Sequence, residues 1–96
     1  MTILTMWDLS TGHLPKTDAD KLENDIKDFP GQIINHNYGW MIPIIYNERT
    51  TLDDLQDCGM TKAFIKIYKY AQGKKYDWIN FDQDAEEVNY LKKFTW

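Results

Sequence analysis

The chain has a single cysteine, Cys58, so no intrachain disulfide staples it and a reducing compartment suits it best. Long hydrophobic runs are missing. The longest, Trp40 to Tyr46, is of strand length, far short of the roughly 18 apolar residues that a membrane span needs. Met1 through Leu9 carries no basic region and meets Asp8 almost at once, which predicts that it is not a signal peptide and that the protein is cytoplasmic. There is no glycine-rich phosphate loop, linker, low-complexity tract or internal repeat, so the 96 residues read as one domain. Histidine is scarce: His13, His36 and Cys58 show no metal-ligand spacing, and neither a metal nor a cofactor is implied. Positive charge is the scarcer sign. With 11 Lys and Arg against 15 Asp and Glu, the net charge of −4 favours solubility and disfavours a phosphate backbone as partner.

Aromatic residues, by contrast, are plentiful: four Trp, six Tyr and four Phe. Rings bury much area per residue, which stabilises the thin core of a small domain, and exposed rings mark contact surfaces. This excess leaves room for a homodimer through a strand edge or an exposed Trp face.

Ile3 to Leu9 reads as a strand, apolar on both alternating faces until Asp8, which predicts a well-covered, central position. Ser10 to Pro15 breaks the periodicity and forms a loop. Thr17 is the expected N-cap of a helix, with Asp20 in the capping-box position, Asp18 in the first turn, and Ala19, Leu22, Ile26 and Phe29 as its inward stripe. Pro30-Gly31 ends it. Gln32 to Tyr38 and Trp40 to Tyr46 form a hairpin about Gly39. Pro43 cannot donate to a ladder, so the second of these strands is expected at an edge or bulged there. Thr51 starts a short helix ending at Cys58-Gly59. A second runs from about Thr61 to Gln72 with Met60, Phe64, Ile67, Tyr68 and Ala71 buried, and the two are read as separate. Tyr76 to Phe81 is a strand, Asp82 to Ala85 an acidic turn, and Val88 to Trp96 a last strand or packed arm.

The order β-α-β-β-α-β predicts an α+β two-layer sandwich, ferredoxin-like or a variant, with a C-terminal strand or arm. A ferredoxin-like order places the Pro43 strand in the interior of the sheet. Either a bulge accommodates that proline or the strand order differs.

Three short motifs carry a resemblance: Ser10-Thr11-Gly12-His13 after the first strand, the Tyr38-Gly39-Trp40 step, and Phe81-Asp82-Gln83-Asp84 ahead of a final Trp96. Together they resemble an uncharacterised family of small proteins from phages, prophages and plasmids, often encoded near anti-restriction or toxin–antitoxin genes. Ala85 departs from that pattern, standing where the family's Asp-x-Asp-Gly turn has glycine. The resemblance implies a mobile-element accessory protein in the host cytoplasm, and it brings no activity with it.

Asp8, Ser10 and His13 are residue types suited to hydrolytic or ligand-binding chemistry, set against the simpler reading of hydroxyls capping a turn. Asp82 and Asp84, with Glu86 and Glu87, are weak candidates for a hard cation, since the calcium-loop pattern fails and a solvated turn suffices. Cys58 reads as a small hydrophobe. Lys62, Lys66 and Lys69, followed by Lys74 and Lys75, form a strip that suits either nucleic acid or the solvated side of a helix. Asp18, Asp25 and Asp28 on the first helix and Asp53, Asp54 and Asp57 near the second are the candidates for an acidic protein-docking face. Composition and resemblance together favour a non-enzymatic factor that docks on a host or defence protein through acidic surface. A small-ligand or hydrolytic domain and a nucleic-acid binder are the alternatives.

Overall fold

The computed structural model describes residues 3–24, 29–46 and 51–94. Among these residues four strands form one sheet: β1 (Met6–Ser10), β2 (Ile34–His36), β3 (Gly39–Pro43) and β4 (Trp78–Asp82), in the order β1-β4-β3-β2. β1 runs parallel to β4, while β4 with β3 and β3 with β2 are antiparallel. Three helices, α1 (Lys16–Glu23), α2 (Thr51–Asp57) and α3 (Lys62–Gly73), share one core with the sheet face that carries Leu9, Phe81, Ile79, Ile42 and Trp40. The two-layer α+β sandwich expected from the sequence is what forms. Its strand order is a variant of the ferredoxin-like one, with β4 interior and β1 at an edge.

Two expectations about β1 need correction. It is neither central nor covered on both faces: Ile3, Leu4 and Met6 are exposed. Apolar residues on both faces of a segment resemble a doubly buried strand, but here only the Trp7 and Leu9 side has helices to pack on. Helix α1 also starts earlier than Thr17. Pro15 precedes its first residue, and its carbonyl accepts from the Asp18 and Ala19 N–H groups, as suits a proline at a helix start. Ala19 and Leu22 are buried as expected, whereas Ile26 lies outside the described residues.

Pro43 sits in an interior strand at no ladder cost. The Ile44 N–H points to β4, donating to Asp77 O at 2.9 Å, so the neighbouring Pro43 nitrogen faces the β2 side. β2 has already ended there, its last pair being Ile34 with Met41. The Tyr68 hydroxyl of α3 takes the place of the missing strand: it accepts from Ile45 N–H at 2.8 Å and donates to Pro43 O at 3.3 Å. Gln72 Nε2 adds a bond to Ile45 O. Backbone groups that leave a ladder need such partners, and a helix supplies them here.

Burial pushes the Tyr68 hydroxyl above its ordinary value of 10.0, and the charge of Tyr46 adds to this, against the opposing hydrogen bond from Ile45. A group held protonated by the fold contributes stability below its unfolded value and loses it as pH rises through the folded one. The denaturant midpoint is therefore expected to stay level up to about pH 10 and to fall above it. In Tyr68→Phe that alkaline fall should shrink, at a cost of about 1–2 kcal/mol for the two orphaned backbone groups. An unchanged alkaline profile in the variant would count against this role.

Helix α2 ends at Cys58 and Gly59, and Gly59 adopts φ +94, the left-handed region favoured by glycine. The helices α2 and α3 are thus separate. Met60, Phe64, Ile67, Tyr68 and Ala71 are all buried, as the 3.6-residue period requires. Among the described residues the segment after β4 adds no strand; it forms an arm that buries Leu91.

Candidate functional site: the open face of the sheet

Side chains alternate across a sheet, and the strand registers put Met6, Asp8, Trp78, Asn80, Met41, Pro43, Ile34 and His36 on the face opposite the helices. No described helix covers that face. Met6 is 48% exposed and Ile34 44%, while Trp78 and Met41 are half-buried among their neighbours.

A polar row crosses this apolar ground. Asn80 Nδ2 donates to Asp8 Oδ1 at 3.0 Å, and Asn80 Oδ1 lies 2.7 Å from His36 Nε2. The ionised carboxylate only accepts, so the amide NH2 must face Asp8 and its oxygen must face the histidine. His36 then donates from Nε2, which leaves Nδ1 to accept the Tyr38 N–H at 3.2 Å. Each group fixes the polarity of the next, and the row locks three strands together across the surface.

At the β1–β4 end lies a shallow depression of about 610 Å³ bordered by Met6, Asp8, Asn80, Asp82, Asp84 and Glu86. Asp82 Oδ1 accepts from the Asp84 N–H at 2.8 Å, which closes the acidic turn in place of the glycine-assisted geometry. Among the described residues no group of three or more His, Cys, Asp or Glu side chains is placed to hold a metal ion.

The three residues of the hydrolytic reading do not converge. Asp8 belongs to the open face. Ser10 Oγ accepts from Gly12 N–H at 3.0 Å, capping the short 3₁₀ turn Thr11–His13. His13 is fully buried on the helix side, with Nδ1 at 2.9 Å from Lys92 O and Nε2 accepting from Val88 N–H at 3.0 Å. Both ring nitrogens are committed to the backbone of the C-terminal arm. The alternative reading of a capped turn describes Ser10. The role of His13 lay hidden because its partners are 75 and 79 residues away.

Of the acidic candidates, one is withdrawn from the surface. Asp18 offers no surface charge: it is fully buried and accepts from the Thr61 N–H at 3.0 Å and from the Thr61 hydroxyl. Thr61 Oγ1 in turn accepts from Phe64 N–H, so Asp18 anchors the N-terminal end of α3 to α1. Asp18→Asn keeps one acceptor but turns an N–H toward a donor, and should cost about 1–3 kcal/mol in a urea titration. A loss within error of zero would refute that anchoring. Asp25 and Asp28 lie outside the described residues. Asp53 and Asp57 are exposed and Asp54 half-buried on α2, remote in sequence from the acidic depression. Cys58 is half-buried, its thiol donating to Leu55 O at 3.3 Å. Lys62, Lys66 and Lys69 are exposed along α3, in the helix layer.

The residues missed in the sequence are Asn80 and the pairing of His36 with it. The signal was present as the alternation of Trp78 and Asn80 against Ile79 and Phe81, but only the strand register brings Asp8, Asn80 and Ile34 into line.

Fold and surface together define a small α+β domain with a helix-covered sheet and one open face. Residues 6–96 match the model of a family of unknown function, the DUF5983 C-terminal domain, and the chain belongs to that family. No curated protein and no solved structure matches it. Among the described residues, no helix is long and apolar enough to cross a membrane.

Proposed function

We propose that the protein is a non-enzymatic, protein-binding accessory factor of a mobile genetic element, and that its open sheet face docks on a basic segment of a host or defence protein. The observation that carries this reading is the sheet face that no described helix covers. Exposed Met6 and Ile34 flank a rigid polar row, and Asp8, Asp82, Asp84 and Glu86 give one end a negative charge. Apolar contact supplies affinity in such a surface, while carboxylates select a positively charged partner and speed its approach. The mobile-element setting rests on the motifs of the Ser10–His13 loop, the Gly39 step and the Asp82 turn. The structural employment of Ser10, His13 and His36 supports binding over catalysis.

The acidic surface of this proposal differs from the one suggested by residue counts along α1 and α2. The test is capture of a partner from host lysate, followed by its purified affinity for wild type and for Asp84→Lys/Glu86→Lys. Reversing two exposed rim charges should weaken binding by about tenfold or more and flatten its salt dependence. A partner held equally well by that variant, or released instead by Lys66→Glu, would refute the assignment.

A further inference from the structure

Helix α3 gathers three of the chain's 11 basic residues on one element. Its sequence contains no acidic residue, and Lys62, Lys66 and Lys69 recur at helical spacing along its exposed side. They span about 10 Å of the helix axis. The ion pairs among the described residues are Lys16 with Asp20 and Lys93 with Glu87, so none of these three lysines is in one.

The lysines border two adjoining hollows that share Lys62 and Lys66. One, of about 210 Å³, lies between α3 and the C-terminal arm, with Ile67, Leu91 and Phe94 as apolar walls and Lys92 on its rim. The other, of about 630 Å³, runs along the opposite flank of the same lysines over Met60 and Ile65 to Lys69. Gln56, rather than the aspartates of α2, faces this second hollow. Four cationic side chains therefore surround aliphatic floors on a chain whose net charge is −4.

We propose that this lysine-bordered trough on α3 is a second docking site, which takes an acidic protein segment bearing aliphatic side chains. Such a segment meets both requirements of the trough: carboxylates for Lys62, Lys66, Lys69 and Lys92, and apolar groups for the floor. A nucleic acid meets only the first. Bases need exposed aromatic platforms; of the rings lining the trough, Phe94 has Lys92 Nζ over it at 5.4 Å, and the His13 imidazole is fully buried with both nitrogens bonded to the arm. Tyr70, Tyr76 and Tyr90 are engaged with one another or with Trp7 in a separate cluster, and none lines either hollow. The site lies on the helix layer and is independent of the open sheet face. Occupancy of both surfaces lets one small domain bridge partners of opposite charge.

The experiment is a fluorescence anisotropy titration of the full chain against a dye-labelled peptide of about 15 residues, built from Glu and Leu at helical spacing. Saturable binding is expected, weakened by about tenfold or more in Lys62→Glu/Lys66→Glu and to a lesser degree in Lys66→Gln. Binding should persist in Asp84→Lys/Glu86→Lys, which separates this site from the sheet face. All substituted residues are exposed, and matching circular dichroism spectra check that the variants fold. Should the double variant misfold, Lys66→Gln decides. Absence of saturable binding, or equal binding by the lysine variants, overturns the proposal. Tighter binding of a labelled oligo-dT strand overturns it in favour of a nucleic-acid site. Self-association in sedimentation that is lost in the lysine variants overturns it in favour of a second copy of the chain.

Discussion

Gly39→Ala is expected to remove most of the protein's stability. Gly39 opens β3 at φ +157, beside the turn formed by Asn37 and Tyr38, and pairs with both His36 and Asp82. A methyl group there would lie 1.7 Å from the Phe81 carbonyl oxygen, a backbone atom of the neighbouring interior strand. Side chains can rotate away from a clash, but two paired backbones cannot part without losing their ladder. The bond from Gln83 N–H to Tyr38 O, at 2.8 Å, ties the acidic turn to the same hairpin and would go with it. The expected cost is at least about 4 kcal/mol, at the exceptional end for one substitution. Against the roughly 5–15 kcal/mol that holds a domain folded, such a loss empties much of the native state. Gly73→Ala is the matched control. Nothing lies within 4 Å of the added methyl at this helical position, and a gain of about 0.5–1 kcal/mol is expected. Urea midpoints for both variants check the pair, and equal effects at the two glycines would refute the close-approach account.

His13→Ala has the second largest expected effect, and it acts on one region more than on the whole. The imidazole is fully buried and supplies both a donor, to Lys92 O, and an acceptor, for Val88 N–H. Its removal leaves two backbone groups unsatisfied and a void beneath Leu91, at about 2–4 kcal/mol. Among the described residues the arm then keeps the Phe94 N–H to Gly12 O bond, the Tyr90–Tyr70 ring contact and the burial of Leu91, and without the two His13 bonds it should detach before the sheet opens. Hydrogen exchange reads this directly. The Val88 and Phe94 amides should lose protection well ahead of that of Ile79 in β4. Uniform loss across the chain would mean that His13 supports the core as a whole instead of clamping the arm. Because His13, Leu91 and Phe94 line the smaller hollow on α3, the same variant should also weaken the acidic peptide.

What could be read from sequence was local in origin. The stripe Met60, Phe64, Ile67, Tyr68 and Ala71 follows from helical periodicity within a dozen residues. The alternation of Ile79 and Phe81 against Trp78 and Asn80 follows from the two-residue period of a strand. The hairpin at Gly39 and the break at Gly59 are likewise written in their glycines. Strand order was not readable, because alternation tells which residues share a face and says nothing about which strand lies alongside. Pro43 pointed to the difficulty correctly, yet the resolution depends on how short β2 is and on a tyrosine 25 residues downstream. The candidate site suffered most from long-range placement. Asp18 has the residue type and position of a helix-start carboxylate, and only its meeting with Thr61, 43 residues on, buries it. Ser10 and His13 sit three residues apart in sequence but serve different structures, a local turn and a distant arm.

The parallel pairing of β1 with β4 has a consequence for how the molecule assembles. β1 lies at an edge, so its ladder depends on a strand some 72 residues further along. Closing a loop of that length costs on the order of 4 kcal/mol of chain entropy before the first bond of the ladder repays any of it. The β2–β3 hairpin and the α2–α3 pair need no such closure and can form early from neighbouring residues. During synthesis the first strand therefore waits for β4 to emerge some 72 residues later, and the acidic end of the open face comes into existence only when the two meet.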